Sequence, residues 1–299
     1  KSFTPQMLNM DGWGTYMKAP YTFGDPYTGI NRMYMKIKSQ LMPYIYTTAV
    51  SASNMDTGND DTGLPIVRAM FLEYPEDAYA YSRNMQYQFL LGANILVAPV
   101  YKNTAADEEG NDVRNHIYLP DPDEVWIDYL TGEKYLGGQV LNNFAAPLWK
   151  LPVFVKNGTI LPMYEANNTP DAIDRTKRMI EFWPDGDSFY TTYEDDGKYI
   201  HNQTEEDEKY GTIDHVSYGS HVSTTYTSSV KEGKAILTAE CSEGTYEGYE
   251  EKRSSIFIVH LSNRPEAVTA WNGEEKLHLT EAENLEIFEQ SEPKKGEAI

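Results

Sequence analysis

The sequence predicts an α/β segment over residues 1–92 and antiparallel β structure from there to residue 299. Three observations carry this. Ile30, Met33, Ile37, Leu41, Tyr44/Ile45 and Thr48/Ala49 recur at spacings of three and four, one helical stripe of about five or six turns. Leu64–Phe71 (LPIVRAMF) is apolar except for Arg68, as expected of a strand covered on both faces in a parallel barrel. After Gly92 helical periodicity gives way to short apolar runs separated by turn residues.

Taken in order, Phe3–Met10 is a short apolar run ending in Asp11–Gly12–Trp13–Gly14, which predicts a strand feeding a loop. Tyr21–Thr28 is aromatic and punctuated by Gly and Pro, so a second loop is expected. The helical stripe starts after Gly29. Pro43 lies inside it and should kink the helix or begin a new one, because proline lacks the N–H and crowds the preceding turn. Gly58 and Asn59–Thr62 close that segment, and a further helix is expected over Tyr79–Leu91. Strands are expected at Ile95–Val100, His116–Leu119, Val125–Tyr129, Val153–Val155 and Thr159–Met163. The same style returns at 179–183, 189–193, 216–226, 234–241, 255–261 and 267–271, which reads as β-sandwich material. Asn167–Asp174, with Pro170, is the linker candidate, and Glu289–Ile299 reads as a frayed tail.

Hydrophobic residues at 40% and charged residues at 24% are ordinary for a globular protein. No apolar run reaches the roughly 18 residues of a membrane helix. The opening KSFTPQMLNM lacks the charged and apolar regions of a signal peptide, so a cut edge or a mature start is expected. The single cysteine, Cys241, excludes an intrachain disulfide and is expected as a small buried hydrophobe. Net charge is −21. Residues 1–164 hold 12 basic and 17 acidic side chains and residues 165–299 hold 13 and 29, giving −5 and −16. The asymmetry supports a domain change near 165, and its sign argues against nucleic acid and anionic membrane surfaces as partners. The acidic, Cys-poor, Thr- and Tyr-rich second half leans towards a secreted bacterial protein.

Seven pieces stand in a telling order: Leu41–Thr47 (LMPYIYT), Gly63–Pro75 (GLPIVRAMFLEYP), Gly92–Val100 (GANILVAPV), Ile117–Pro120 (IYLP), Trp126–Tyr135 (WIDYLTGEKY), Ala146–Met163 (APLWKLPVFVKNGTILPM) and Tyr193–Gly197 (YEDDG). In order and spacing they resemble the C-terminal half of glycoside hydrolase family 31, the family of α-glucosidases and α-glucosyltransferases. The likeness covers residues 1–200 well and the remainder weakly. It implies the last two βα units of a (β/α)8 (TIM) barrel in residues 1–92, with the seventh strand at 2–9 and the eighth at 64–71. Two C-terminal antiparallel β-sandwich domains would follow, a proximal one at 93–166 and a distal one at 167–299. No cofactor and no metal are expected.

Retaining glycosidases use two carboxyl groups about 5–5.5 Å apart, one as nucleophile and one as acid/base. The resemblance implies two Asp residues on the fourth and sixth barrel strands. Both fall upstream of residue 1, so the catalytic pair is unknown in this chain and none of its acidic residues is assigned to it. Barrel sites lie at the C-terminal ends of the strands. There most family members carry an Arg-Asn-His-like element after the seventh strand, whose His hydrogen-bonds the sugar. The aligned stretch here is Leu8–Asn9–Met10–Asp11–Gly12–Trp13, with Met10 or Asp11 at the His position. This departure leaves transglycosylation and unusual linkages open. Asp11 is the candidate acceptor for sugar hydroxyls and Trp13 the stacking face; alternatively Asp11 starts a turn before Gly12 and Trp13 is packing. Asn9 is a weaker candidate, and Phe71 at the end of the eighth strand is a candidate pocket wall. Tyr16, Tyr21 and Phe23 could line outer subsites or simply pack. Arg68 needs a partner, because a lone buried guanidinium is costly, and a structural ion pair inside the barrel is expected.

The acidic groups Asp185–Asp187 and Glu194–Gly197 are expected at hairpin turns, where Asp and Gly suit the dihedrals, and they lack the spacing of an EF-hand. The six His residues show no ligand spacing. Two functional readings follow. In the first the chain is the C-terminal portion of an enzyme acting on an α-glucan or oligosaccharide, partnered by the missing N-terminal part of the barrel. In the second it is a non-catalytic module that binds α-glucan or braces a barrel. Two barrel strands cannot close a barrel, so residues 1–92 are expected not to fold without the missing strands.

Overall fold

The computed structural model describes residues 3–5, 19–101, 105–106, 112–169, 172–201, 216–291, 293 and 297–299. The chain forms two compact units, Lys1–His260 and Leu261–Ile299.

The larger unit opens with helices α1 (Tyr27–Gln40) and α2 (Met42–Ala52), parted at Leu41. Pro43 occupies the first turn of α2, where its missing N–H is no loss, so the expected break is a new helix rather than a kink. Phe3–Pro5 is turn and bend; the rest of the strand expected at 2–9 lies outside the described residues.

The strand expected at 64–71 is only β1 (Val67–Arg68), followed by the single helical turn α3 (Met70–Glu73). It pairs antiparallel with β2 (Phe89–Leu91), Val67 opposite Leu91 and Arg68 opposite Leu90. The parallel direction read from its apolar run is therefore not what the described residues show. The helix expected over Tyr79–Leu91 is likewise corrected. Two 3-10 turns, Ala78–Tyr81 and Arg83–Tyr87, lead into β2. Asp77 caps the start of the first by accepting from Tyr79 N and Ser82 the start of the second by accepting from Asn84 N, while the extended backbone of Ser82 (ψ 154°) and Gln88 (ψ 143°) ends each turn.

A tight turn at Gly92 (φ 60°) joins β2 to β3 (Ile95–Val97). Strands β4 (Ala105–Ala106), β5 (Asp112–Arg114) and β6 (Ile117–Leu119) follow. Next come β7 (Val125–Asp128), β8 (Lys134–Leu136), β9 (Gln139–Leu141), β10 (Phe144–Ala145) and β11 (Val153–Lys156). The principal sheet has the order β1-β2-β3-β11-β7-β8 and every pairing in it is antiparallel. Alternate residues serve two cores. Leu91, Ile95, Val97, Ile127, Val153 and Val155 face the core shared with α2. Leu90, Leu96, Trp126 and Phe154 face a second core with Met70, Met85, Ile117 and Phe144. Each aliphatic side chain buried this way contributes about 1.5–3 kcal/mol, so the sheet is the main stabilising layer. The sheet runs without interruption through β1 and β2 into β3, across the division expected at 92/93.

The chain continues through β12 (Ile160–Met163), β13 (Lys177–Phe182), β14 (Asp187–Asp195), β15 (Tyr199–His201), β16 (Val216–Tyr218), β17 (His221–Lys231), β18 (Lys234–Ala239), β19 (Glu243–Gly244) and β20 (Ser254–Val259). One sheet runs β12-β13-β20, its β13–β20 ladder parallel, and another runs β14-β17-β18 with β19 beside β17. Ile160, Leu161, Ile180, Phe182, Tyr190 and Tyr226 from these sheets join the α2 core. Cys241 is exposed, correcting the expectation of a buried hydrophobe. It sits in a polar stretch just beyond β18, where the core has ended.

The smaller unit holds the hairpin β21 (Trp271–Asn272)–β22 (Glu275–Lys276), the parallel pair β23 (His278–Leu279)–β24 (Glu297–Ala298), and helix α4 (Leu285–Gln290), capped by Asn284 accepting from Ile287 N. Among the described residues no helix is long and apolar enough to cross a membrane.

Candidate functional site

Of the four residues expected to meet substrate, Asn9, Asp11 and Trp13 lie outside the described residues, as do Met10 and Tyr16. Phe71 is described, and the structure shows how its turn is built.

Arg68 is fully buried on β1 and is held from three sides. Its Nε donates to Pro65 O at 2.9 Å, Nη1 to the Glu73 carboxylate at 2.9 and 3.1 Å, and Nη2 to Asp61 Oδ2 at 2.8 Å. The expected ion pair is present, with two carboxylates. It clamps residues on both sides of the β1–α3 turn, and Ala69, extended at ψ 148°, directs the chain out of the strand. Met70 is buried beneath the turn and takes a long contact from Gln88 Nε2 at 3.5 Å. Phe71 and Leu72 then emerge on the surface.

Phe71 stacks on Tyr81, ring centroids 5.4 Å apart and planes 19° off parallel. The Tyr81 hydroxyl donates to Pro75 O at 3.0 Å, which fixes the ring without hiding it; Phe71 is 41% exposed and Tyr81 60%. Two preorganised apolar faces thus stand at the C-terminal end of β1. A helix over 79–91 gives no reason to pair Tyr81 with Phe71; the 3-10 turn Ala78–Tyr81 brings the two rings together. Tyr87 stacks on Tyr101 with centroids 3.5 Å apart and planes 7° off parallel, and the Arg114 guanidinium lies 4.9 Å from the Tyr101 ring centre.

Polar brackets hold this surface to the sheet. The Gln88 carboxamide pairs with both main-chain groups of Tyr118, donating to its O at 2.6 Å and accepting from its N at 3.0 Å. The Tyr118 hydroxyl donates to Asp77, and the Tyr74 hydroxyl donates to Glu124 Oε2 at 3.0 Å. Burial first, and the neighbouring carboxylate second, push the phenols of Tyr74 and Tyr118 above their ordinary range. They stay protonated at neutral pH and act as donors rather than bases.

The acidic turns are engaged in turn chemistry. Asp185 accepts from Asn157 Nδ2 at 2.7 Å, and Asp195 and Asp196 accept from the main-chain N–H of Gly197 and Lys198. The Ser229 hydroxyl, with Lys231, draws the Asp187 carboxyl below its ordinary range. Among the described residues no three His, Cys, Asp or Glu side chains converge as a metal site would require.

Comparison with known proteins bears on the same region. The family model described as the glycosyl hydrolase family 31 C-terminal domain matches residues 63–161, which begin just ahead of β1 and include the β1–α3 turn. The chain is 31% identical over 198 residues to alpha-glucosidase 2 of Bacillus thermoamyloliquefaciens, covering 66% of this chain and 23% of that protein. It is 34% identical over 220 residues to an isomaltosyltransferase of Sporosarcina globispora, covering 69% and 18%. Among solved structures, a GH31 dextranase of Flavobacterium johnsoniae in complex with isomaltotriose superposes with a TM-score of 0.66 at 30% identity, covering 89% of this chain and 29% of that one. The chain therefore spans about a quarter of the length of the relatives it matches.

Proposed function

Because the chain belongs to glycoside hydrolase family 31 and corresponds to a C-terminal part of such an enzyme, we propose that it serves a retaining enzyme acting on α-glucosidic bonds of glucans or oligosaccharides, by hydrolysis or by transglucosylation. The observation that carries this reading is the similarity to an alpha-glucosidase, an isomaltosyltransferase and a dextranase, together with a family model that spans residues 63–161 and so includes the β1–α3 turn bearing Phe71.

In this reading the catalytic carboxyl pair comes from barrel strands upstream of residue 1, and this chain supplies the pocket edge. Asp11 accepts hydrogen bonds from sugar hydroxyls, Trp13 offers a stacking face and Asn9 a further polar contact. Phe71, with Tyr81 stacked behind it, walls the pocket. The finer architecture belongs to the same proposal: the last two βα units of the barrel in residues 1–92, and two antiparallel β-sandwich domains at 93–166 and 167–299. The exposed apolar side chains of α1 and β1, among them Met35 and Val67, are where the remaining barrel would pack.

Mass measurement of the native protein together with an activity assay on isomaltotriose and maltotriose tests this. The expected result is a polypeptide of several hundred residues that contains, or is bound to, this sequence and releases or transfers glucose. A 34 kDa monomer that melts cooperatively, has no activity and binds maltooligosaccharide would favour the non-catalytic module instead. Within the active protein, Asp11→Ala is expected to lower kcat/KM by well over the factor corresponding to about 1 kcal/mol, and a smaller change removes Asp11 from the site.

A further inference from the structure

Among the described residues strand β14 is an edge strand, in the order β14-β17-β18. The outward main-chain groups of an edge strand have no strand to pair with. Here the carboxamide of Asn59 takes that place. Its Nδ2 donates to Thr191 O at 2.8 Å and its Oδ1 accepts from Thr191 N at 2.9 Å, so one side chain stands in for one residue of a neighbouring strand. Two residues along the same edge, Tyr193 N donates to Thr47 Oγ1 of α2 at 3.0 Å. The loop carrying Asn59 is also fastened at its base. Gly63 N donates to Ser51 O at 2.7 Å, and the Ser51 and Thr57 hydroxyls bond at 2.7 Å. Gly58, at φ 83°, packs against Thr191, where a Cβ would stand 3.5 Å from Thr191 Oγ1.

Two residues beyond Asn59, the same loop delivers Asp61 to Arg68. The Asp61 carboxyl is nearly buried, and its second oxygen, Oδ1, is buried without a hydrogen-bond partner among the described residues. A carboxylate so poorly satisfied would not choose this position; the loop imposes it, and Arg68 is its compensation. Arg68 in turn grips Glu73 across the turn that presents Phe71. The contacts therefore run without a gap from β14 through Asn59 and Asp61 to Arg68 and the Phe71 turn.

We infer that Asn59 is a positioning residue, the point at which the edge of β14 sets the placement of the Arg68–Glu73 turn and so of the aromatic wall that meets an α-linked glucose unit. The inference rests on the proposed role of Phe71 under the family reading. It gives the C-terminal β structure a part in substrate fit that does not need its own sugar contact.

The experiment uses the complete enzyme with Asn59→Ala, Asn59→Asp and Phe71→Ala. The first removes both bonds to Thr191. The second keeps an acceptor for Thr191 N and loses the donation to Thr191 O. Amide hydrogen exchange over residues 66–74 is read alongside kcat and KM on isomaltotriose. Asn59→Ala is expected to speed exchange there by on the order of ten-fold, while amides of β7 and β11 stay unchanged, and Asn59→Asp should fall between. KM is expected to rise by roughly three- to ten-fold in Asn59→Ala and at least as much in Phe71→Ala, with a smaller change in kcat. Unchanged exchange at 66–74 with a raised KM for Phe71→Ala overturns the inference and leaves the functional reading standing. Faster exchange with KM unchanged for both Asn59→Ala and Phe71→Ala removes Phe71 from the pocket, and Asn59 is then only a structural bracket. If Asn59→Ala does not fold, the Asn59→Asp comparison decides on the same criteria.

Discussion

Helices α1 and α2 are consecutive and separated by one residue, yet they live in different environments. α1 buries no residue completely, whereas α2 buries Tyr44, Ile45, Thr47, Thr48, Val50 and Ser51. The buried face of α2 packs on described elements of the larger unit. Tyr44 lies under the β2–β3 hairpin and beside Tyr190 of β14, donating its hydroxyl to Leu91 O at 3.0 Å. Its buried hydroxyls are satisfied as well, Thr47 and Thr48 donating back along the helix to Pro43 O and Tyr44 O and Ser51 bonding Thr57. α1 touches the core only through part-buried Tyr34 and Ile37, and Tyr34 reaches the 149–151 loop by donating to Trp149 O and accepting from Leu151 N. The contrast teaches that an apolar stripe records how many partners a helix is built for, and that α1 has more stripe than the described residues cover.

The largest test of that contrast is Tyr44→Ala. It removes a fully buried ring from the α2 core and should cost about 4 kcal/mol in denaturant unfolding of the protein. A cost under about 1.5 kcal/mol would mean that α2 is no better anchored than α1, and the contrast would collapse. Next is Arg68→Ala, expected to cost about 3 kcal/mol because it leaves Asp61 and Glu73 facing each other's charge in a poorly solvated place. A cost under about 1 kcal/mol in the same measurement would mean that the guanidinium is not what holds these two carboxylates in place.

These two residues also show what the sequence could and could not disclose. The break at Pro43 was legible because proline's constraint is local, and the need of Arg68 for a charged partner was legible because burial of a guanidinium admits few solutions. The direction of its strand was not. Leu64–Phe71 reads as covered on both faces, but coverage carries no information about whether the neighbour is parallel. Ile95–Val97 and Val153–Val155 are buried on both faces within a wholly antiparallel sheet. Residues 79–91 failed for another reason. The extended backbone at Ser82 and at Gln88 breaks the helix into two short turns, and the apolar residues beyond them, Leu90 and Leu91, belong to a hairpin set by Gly92. Of the candidate site, Phe71 could be named from its place at a strand end. Its stacking partner Tyr81 could not, since only the 3-10 turn brings the two rings together.

Two glycines sharpen the comparison at a smaller scale. Gly92 turns the hairpin over α2, and a Cβ there would collide with the Tyr44 hydroxyl while the backbone holds φ at 60°. Gly92→Ala should therefore destabilise by about 2 kcal/mol. Gly29 lies in α1 with open space around it, so Gly29→Ala should stabilise by about 0.5–1 kcal/mol through helix propensity alone. The same substitution is thus expected to have opposite signs on either side of Leu41. Thermal melts of both variants check it, and equal signs would show that the α1 environment is as restrictive as that of α2.

The smallest expected effect carries the most information about what lies beyond this chain. Val67 is on β1, which pairs only with β2 among the described residues, and it is 36% exposed while its neighbour Arg68 is fully buried. In the isolated chain Val67→Ala should change stability by no more than about 0.5 kcal/mol, as for any half-exposed side chain. In the complete enzyme, if further barrel strands cover this edge, the lost methyl groups leave a cavity and the cost should rise to about 1–2 kcal/mol. The measurement is the difference between the two contexts, so errors common to both cancel. A rise means that the uncovered stripe of α1 and the uncovered edge of β1 share one missing partner. No rise means that β1 is an edge strand in the whole enzyme too, and the seeming excess of apolar surface on α1 must then be met by something other than a closing barrel.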